Sequence, residues 1–396
     1  MISRYLVALA IGFATPACAQ PEPEPAGDVL TLARDSEARW IPFTLTPGNQ
    51  IRFTMTLDGR PVGALLDTGV SDSLLARGSV AVRADRLTTG GTASAIGGTV
   101  PIEWMRTEEL AIGPLVRRGG RLAVTPLPAT ATGGAEGVDV LVGRDLLAGY
   151  ALDIDYPARR FRLLPSGRMP FTGAAAPLSV SRERRIYESA VTIGGRTLGP
   201  MVVDTGDGAS VTVSAEEWKR AAPAGVPVTT ALGFGLAGPL VTDLAILPHL
   251  GLGALTAREV EVRVEPENGF STGIGVAGRI GSGLLGRYRV LLDPGAGRMV
   301  LAERPGPHRP PLRSTSGLLV GALRDRLKVL HVMRGGPAAA AGWKEGDLIC
   351  AVNGAAIAPD YPTTPLAAWS AAPAGTVTRL TDCAGGVRTL VARDFY

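Results

Sequence analysis

The strongest constraint on the fold of this chain is an internal repeat. Residues 51–66 alternate apolar and polar positions, turn at Asp58-Gly59 and run into the tripeptide Asp67-Thr68-Gly69. Residues 187–203 repeat the pattern and run into Asp204-Thr205-Gly206, 137 positions after the first tripeptide. Alternation that is interrupted by an Asp-Gly or Gly-Gly turn predicts a β-hairpin. The chain therefore carries two hairpins, each of which ends in the same acidic tripeptide.

The repeat continues downstream of both tripeptides. Gly143 lies in a Val-Gly-Arg-Asp-Leu-Leu run before Asp155, and Gly281 lies in an Ile-Gly-Ser-Gly-Leu-Leu run before Asp293. Both pairs of positions are 138 apart. Landmarks at nearly one offset predict a duplicated unit. We expect each unit to hold roughly seven to nine short strands and one brief helix at the Leu-Leu pair.

The composition agrees with a mainly β protein. The 52 glycines and 31 prolines suit short strands that are joined by many tight turns. A hydrophobic fraction of 45% and a charged fraction of 19% are typical of a globular chain with a buried core. The net charge of +4 is small, and no cluster of basic residues is interleaved with aromatic residues. The sequence therefore predicts no nucleic-acid partner.

The first residues carry the pattern of an export signal. Arg4 precedes an apolar run over residues 5–13, and Ala17-Cys18-Ala19 fits an A-x-A cleavage site. The run is too short to span a membrane comfortably. We therefore expect a periplasmic or secreted protein without stable membrane insertion. The alternative is a lipoprotein acylated at Cys18, although Thr15-Pro16-Ala17 matches that signal poorly.

The two tripeptides and their surroundings resemble the active-site loops of retropepsin-like aspartic peptidases. An apolar pair precedes each tripeptide, and residues 141–143 and 279–281 resemble the family's apolar-apolar-Gly segment, which buttresses the loop. The resemblance covers residues 46–304. It implies a mainly β fold in which two tandem acid-protease β-barrel lobes form a pepsin-like bilobal unit. It also implies that the catalytic residues are Asp67 and Asp204 and that their loops are supported by Thr68, Gly69, Thr205 and Gly206.

The chemistry of such a pair follows from its charges. Two adjacent carboxylates cannot both ionise cheaply, so they share one proton. One carboxyl then activates a water molecule while the other protonates or polarises the carbonyl of the peptide. The pKa values belong to the pair, so the sequence leaves open which aspartate is protonated. We expect an endopeptidase that acts on peptide or protein substrates and needs no cofactor or metal.

The sequence departs from the family pattern after each tripeptide. The first is followed by Val70-Ser71-Asp72 and the second by Asp207-Gly208-Ala209-Ser210, where the family commonly has a small residue. Asp207 adds a third acid close to the pair. We expect it either to perturb the titration of the pair or to form an ion pair with a nearby arginine.

Two glycine-rich segments are candidate flaps over the substrate, because glycine lets a hairpin tip bend and approach a peptide. The alternative is that they are plain hairpin turns. Residues 233–238 also fit G-x-G-x-x-G, but a strand pattern resumes at Pro239, which argues against a dinucleotide site. The candidate flap residues are Ile96, Gly97 and Gly98 in the first half and Gly233, Phe234 and Gly235 in the second.

The C-terminal residues 313–396 resemble a bacterial-type PDZ domain, which is a β-rich α+β module. The resemblance rests on residues 335–349 and on the following Val352-Asn353-Gly354. Such modules bind a C-terminal tail by strand addition. Leu319 stands where the family often has glycine, so the alternative is a module that packs on the lobes and binds no free ligand. The predicted groove strand consists of Gly317, Leu318, Leu319 and Val320.

These patterns divide the chain into six segments. They are a signal peptide (1–19), an N-terminal spacer (20–45), a first lobe (46–170), a second lobe (171–304), a Pro-rich linker (305–312) and the PDZ-like module (313–396). Cys350 and Cys383 could form a disulfide or remain free thiols.

Other classes of function are less favoured. None of His249, His308 and His331 lies beside a nucleophile loop, which argues against a serine peptidase, and no residues show metal-ligand spacing. The main alternative is a catalytically silent exported protein that holds peptides in its cleft and PDZ-like groove. A pairing of each half with another chain is also conceivable. However, one chain already supplies both acids, which favours a monomer.

Overall fold

A computed structural model of the protein describes residues 28–132, 137–147, 149–304 and 310–396. The predicted signal peptide, with Cys18, lies outside the described residues, as do residues 20–27 of the predicted spacer and His308 in the linker. No helix in the described part of the chain is long and apolar enough to cross a membrane.

The first half is built almost entirely from strands that are joined by tight turns. The β4–β5 hairpin turns at Asp58 and Gly59, whose φ angles are 48° and 76°, as a two-residue hairpin turn requires. The short α-helix α1 (Arg144–Leu147) follows the strand of residues 140–142. The strands are β1 (Val29–Leu32), β2 (Ile41–Pro42), β3 (Thr44–Leu45), β4 (Ile51–Leu57), β5 (Arg60–Leu66), β6 (Leu74–Ala76), β7 (Leu87–Ala95), β8 (Gly98–Arg106), β9 (Glu109–Ile112), β10 (Leu115–Arg118), β11 (Arg121–Thr125), β12 (Val140–Val142), β13 (Tyr150–Asp155) and β14 (Arg160–Pro165).

The second half has the same character. Its helices are α2 (Ala215–Ala221), α3 (Phe270–Gly273) and α4 (Ser282–Leu285). Its strands are β15 (Ala174–Pro177), β16 (Ser179–Val180), β17 (Tyr187–Ile193), β18 (Arg196–Asp204), β19 (Val211–Val213), β20 (Thr229–Gly235), β21 (Gly238–Leu252), β22 (Leu255–Val264), β23 (Gly278–Gly281), β24 (Tyr288–Asp293) and β25 (Arg298–Glu303).

The two halves repeat one order of strands. The first sheet contains the run β5-β12-β6-β11-β8-β7, and the second contains β18-β23-β19-β22-β21-β20. In both, the strand before the acidic tripeptide pairs in parallel with the short strand that precedes the Leu-Leu helix. That short strand pairs antiparallel with the next one. The helices near the two Leu-Leu pairs are present as predicted, and the fold is mainly β.

A third sheet joins the halves in the order β15-β25-β24-β13-β14-β2. At its centre β13 pairs antiparallel with β24, and Asp153 lies opposite Leu291, 138 positions later. Because equivalent positions of the repeat face each other there, a pseudo-twofold axis passes through this pair. Asp153 is fully buried and accepts hydrogen bonds from Arg162 and Arg289. One hydrophobic core runs through both halves.

The predicted spacer of residues 20–45 is wrong from Val29 onward. β1 pairs with β10, and β2 pairs with β14 in the sheet that joins the halves. Leu30 and Leu32 pack against the main core. The Gly/Ala/Pro-rich stretch of residues 170–177 contains β15, and this strand pairs with β25. These strands escape sequence reasoning because they are too short to show a period.

The C-terminal residues form a sheet and core of their own. The strands are β26 (Leu318–Ala322), β27 (Leu327–Val332), β28 (Leu348–Val352), β29 (Ala355–Ala356), β30 (Val377–Asp382) and β31 (Val387–Val391), with α5 (Pro337–Ala340) and a 3₁₀ helix (Pro365–Ala371). Trp343, Tyr361 and Trp369 are buried in this core. Cys350 and Cys383 form a disulfide, which decides the alternative that the sequence left open. We refer to residues 313–396 as the C-terminal module.

Candidate active site

The fold brings the two acidic tripeptides together. Asp67 directly follows β5 and Asp204 ends β18, and each of these strands lies in the interior of its sheet. Leu66 and Val203, which precede the acids, are completely buried. Strands that are buried on both faces hold the following side chain on a rigid support. The carboxyls are therefore positioned by fully buried strand residues in each half.

The threonines of the two tripeptides lock the loops to each other. The Thr68 hydroxyl donates to the Val203 carbonyl oxygen at 2.6 Å and accepts from the Thr205 amide at 3.0 Å. The Thr205 hydroxyl donates to the Leu66 carbonyl oxygen at 2.8 Å and accepts from the Thr68 amide at 3.1 Å. Both threonines are fully buried. This reciprocal set of four bonds follows the pseudo-twofold axis and fixes the separation of the two aspartates.

The two glycines allow this close approach. A Cβ on Gly69 would collide with the carboxyl group of Asp204, and a Cβ on Gly206 would collide with the carboxyl group of Asp67. Each glycine amide instead donates to the aspartate of its own loop, Gly69 at 3.0 Å and Gly206 at 2.9 Å. Any larger residue at either position would push the loops apart.

The two carboxyls are strongly perturbed. Burial raises the pKa of Asp67 well above its usual value, and the neighbouring charge of Asp204 raises it further. Burial and the charge of Asp207 raise the pKa of Asp204 to about 6, against the opposing effects of Arg279 and of backbone amides. A pair of this kind holds one proton between its two ionisations. The environments of the two aspartates differ. The third residue after Asp67 is the apolar Val70, whereas the third residue after Asp204 is the acidic Asp207.

Sequence reasoning missed the buried arginine that lies beside Asp204. Arg279 Nε donates to Asp207 at 2.9 Å and lies 4.0 Å from Asp204 Oδ2. Its Nη1 donates to Glu265 at 2.6 Å and to the Ser271 hydroxyl at 3.2 Å. These contacts lower the pKa of Asp207 although burial alone would raise it. The prediction that Asp207 pairs with a nearby arginine therefore agrees with the geometry.

The two halves differ at the position of this arginine. Arg279 on β23 stands where β12 has Leu141, which packs with Leu65 and Leu127 in a small apolar cluster. A charged residue in the buried apolar-apolar-Gly segment was the signal available in the sequence. The difference makes the pair of aspartates electrostatically asymmetric, because the positive charge stands on the side of Asp204 alone.

Two further side chains support the loops and were not predicted. Gln50, which is buried, donates to the carbonyl oxygen of Gly206 at 2.8 Å and to that of Ala131 at 3.1 Å. The Ser282 hydroxyl donates to the Thr205 carbonyl oxygen at 2.8 Å. These contacts join residues that are far apart in sequence, so no local pattern predicts them.

A cleft of about 880 Å³ lies above the aspartates, and both candidate flaps line it. The β7–β8 hairpin and the β20–β21 hairpin meet at their tips, where the Ala237 amide donates to the Ile96 carbonyl oxygen at 3.2 Å. A Cβ on Gly235 would collide with the same carbonyl group. Gly97 lies against Gly238 of the other tip. The two hairpins therefore form a roof over the cleft that contains the two carboxyls.

Of the other candidate flap residues, Gly98 begins β8 with a φ of 144° and Gly233 lies beside Arg263. Phe234 is 39% exposed and lines the cleft. β21 continues the strand directly after the glycine-rich tip, which agrees with the interpretation of residues 233–238 as a hairpin.

The predicted groove strand of the C-terminal module begins at Leu318, since Gly317 precedes β26 with a φ of 76°. Leu318 is buried in the module's core, and Val320 packs against that core. Leu319 points outward, is 37% exposed and lines the cleft above the aspartates. The groove strand is therefore close to the candidate active site.

The C-terminal module is attached to the second hairpin. The Thr230 hydroxyl and His331 Nε2 are hydrogen-bonded at 2.8 Å, and Arg334 pairs with Asp243 at 3.0 Å. Leu244 packs with Met333 and with other apolar residues of the module. The packing of the module on the lobes, which the sequence left as an alternative, is present in the structure.

No group of three or more His, Cys, Asp or Glu side chains in the described part of the chain could hold a metal ion.

Comparison with known proteins supports the interpretation of the first half. None of the curated proteins matches the chain. Residues 53–146, however, match a family model described as aspartyl protease. This segment runs from β4 to α1 and contains the Asp67-Thr68-Gly69 loop. The match supports a protease-like function for the part of the chain that supplies the first carboxyl.

Proposed function

We propose that the chain is an aspartic endopeptidase whose two retropepsin-like lobes form one bilobal catalytic unit. The observation that carries the proposal is the reciprocal set of hydrogen bonds between Thr68 and Thr205. These bonds hold Asp67 and Asp204 side by side on the floor of a cleft. Structural aspartates that merely initiate turns have no need for this arrangement. Because one chain supplies both acids, we propose a monomer as the active unit.

The asymmetry of the pair suggests a role for each carboxyl. Arg279 lies 4.0 Å from Asp204 and favours its anion, so Asp204 is the base and Asp67 carries the shared proton. Asp204 takes a proton from water while the water oxygen attacks the peptide carbonyl carbon and Asp67 protonates the carbonyl oxygen. In the second step Asp204 gives its proton to the leaving nitrogen, Asp67 recovers its proton from a hydroxyl group, and the C–N bond breaks.

The cleft suits a peptide in extended conformation. Apolar side chains from both hairpins line its walls, among them Val100, Ile102 and Leu232. Clefts with apolar walls and a few polar groups bind ligands through burial and orient them through the polar groups. Closure of the two hairpins would exclude water from the bond that is cleaved.

The remaining assignments are part of the same proposal. We propose export through the signal peptide of residues 1–19 to the periplasm or the exterior. We also propose that the C-terminal module is a PDZ domain that recruits substrates, including those with a free C-terminal tail. The support for this assignment is the sequence resemblance, the strand β26 at the end of its sheet and the position of Leu319 at the cleft.

Direct attack by water can be tested with isotope labelling. Cleavage of a peptide mixture in H₂¹⁸O should place one ¹⁸O atom in each new carboxylate, and an added amine should trap no acyl-enzyme. Amine-trapped products would exclude the mechanism. If peptides bind but none is cleaved between pH 3 and 8, the chain is instead a peptide-holding protein.

A further inference from the structure

The β7–β8 and β20–β21 hairpins, which form the roof of the cleft, have the same strand register at their tips, but they pack against different neighbours. Their tips pair as Ala95 with Gly98 and as Gly235 with Gly238. Counted from the tips, Trp104 on β8 corresponds to Leu244 on β21. The two positions therefore lie on the same face of the roof in the two halves.

In the first half this face is a wall of the cleft. Val100, Ile102 and Trp104 follow one another along it, and all three line the cleft. The equivalent face in the second half is covered. Leu244 is only 4% exposed, because it packs against Met333 and Tyr396 of the C-terminal module. The module thus occupies the place of a cleft wall.

The module also supplies a new wall. β20 is the last strand of its sheet, and β27 lies beside it. Leu330 on β27 and Leu319 on β26 line the same cleft as Leu232 and Phe234 on β20. The apolar lining that Leu232 and Phe234 contribute to the cleft therefore continues onto Leu319 and Leu330 of the module.

We propose that the C-terminal module is a permanent wall of the substrate-binding cleft, and that Leu319 and Leu330 bind an apolar side chain of the peptide. The proposal rests on the proposed peptidase function and adds a determinant of specificity to it. Leu319 is 37% exposed, so an apolar side chain that covers it removes apolar surface from water. A charged side chain at the same place would lose hydration without a partner.

The test exchanges the chemistry of this wall. Leu319→Arg places a positive charge in the cleft, and Leu323→Arg is the matched control. Leu323 is 48% exposed on the same module and lies outside the cleft lining. A randomised peptide mixture is cleaved by each protein, and the products are sequenced by mass spectrometry. Circular dichroism shows that the variants are folded. Leu319→Ala replaces Leu319→Arg if the arginine prevents folding.

The expected result is a position of the peptide at which wild type and Leu323→Arg select apolar side chains. Leu319→Arg should lose this preference and select Asp or Glu there, whereas Leu319→Ala should only lose it. For two synthetic peptides that differ by Leu or Glu at that position, the ratio of kcat/KM should fall about tenfold or more. The change should lie mainly in KM, because the contact is remote from the reacting atoms. Identical profiles for Leu319→Arg and wild type would overturn the proposal.

Failure of the proposed function can be recognised separately. If wild type cleaves no peptide, the mixture is labelled with fluorescein and its binding to the same proteins is measured by fluorescence polarisation. The wall then predicts about tenfold weaker binding of leucine-containing peptides to Leu319→Arg than to Leu323→Arg. Equal binding by both variants would refute the proposal that Leu319 contacts the peptide, even if the protein binds peptides without cleaving them.

Discussion

The charges around Asp204 allow a quantitative prediction of the pH dependence of cleavage. Arg279 Nε lies 4.0 Å from Asp204 Oδ2 and 2.9 Å from Asp207 Oδ2, and all three side chains are buried or nearly so. Two unit charges 4 Å apart interact by about 4 kcal/mol at an effective dielectric constant of about 20. At about 1.4 kcal/mol for each pKa unit, this equals roughly three units. The charge centres lie farther apart than these closest atoms, so removal of either charge should shift the pKa of Asp204 by about one to two units, downward for Asp207 and upward for Arg279.

The two substitutions are expected to move the acid limb of the pH profile in opposite directions. Asp207→Asn removes the negative charge that raises the pKa of Asp204, so kcat/KM should persist to a pH about one unit lower than in wild type. Arg279→Met removes the positive charge and should move the acid limb about one unit higher. The wild-type limb is expected near pH 6, because the base is lost when Asp204 is protonated.

The assay is kcat/KM for one peptide from pH 3 to 9. Glu267→Gln, which changes an exposed carboxylate of the same half, is the control and should leave the profile unchanged. Arg279→Met should also lose about 3–5 kcal/mol of stability, because Asp207 and Glu265 remain buried without their partner. Urea unfolding therefore accompanies each profile. Shifts in the same direction, or no shift with Asp207→Asn, would refute the electrostatic reasoning.

Three further predictions concern the loops, the pair and the roof. Thr68→Val leaves the Val203 carbonyl and the Thr205 amide without these partners, and at about 1–3 kcal/mol each the free energy of unfolding in urea should fall by about 2–6 kcal/mol. Asp204→Asn should raise the melting temperature at pH 7.5 but not at pH 4. The folded-state pKa of about 6 lies above the ordinary 3.8, so wild type loses on the order of 3 kcal/mol as pH rises through this window. Gly235→Ala forces the hairpin tips apart at Ile96, and KM for peptides should rise roughly tenfold with little change in melting temperature.

Matched controls separate these effects from general damage. Thr256→Val changes an exposed strand threonine and should leave the unfolding curve unchanged. Gly91→Ala adds a Cβ to an open position of the first hairpin and should leave KM unchanged. A Thr68→Val protein as stable as wild type would contradict the loop account. A melting difference for Asp204→Asn that is independent of pH would contradict the raised pKa of Asp204. An unchanged KM for Gly235→Ala would contradict the claim that the contact between the hairpin tips supports peptide binding.

The local elements were accessible from the sequence because their signals are local. Alternation that is interrupted by an Asp58-Gly59 or Gly194-Gly195 turn specifies a hairpin within some 20 residues, and the observed hairpins turn at these residues. The approach of the two tripeptides came from the repeat together with the family resemblance. The hydrogen bonds of Thr68 and Thr205 set the distance between the two loops, and a periodic sequence pattern cannot predict these bonds.

The parts that the sequence did not reveal depend on contacts between distant residues. Arg279 and Asp207 are 72 positions apart, and a lone arginine in a strand does not indicate which carboxylate it faces. The contact of Thr230 with His331 spans 101 positions, so the place of the C-terminal module depends on how completed domains pack. β1 and β2 were missed because strands of four and two residues carry no period of their own.

The central claim is that Asp67 and Asp204 of one chain form one catalytic pair. Its most direct test is the cleavage of a peptide mixture from pH 3 to 8 by wild type, Asp67→Asn and Asp204→Asn. Asparagine keeps the shape of the side chain but can neither share nor transfer the proton. The account predicts cleavage by wild type and its loss in both single variants, with no recovery when the two variants are mixed. Undiminished cleavage by either variant would contradict the pair, and recovery on mixing would show that the acids of different chains combine.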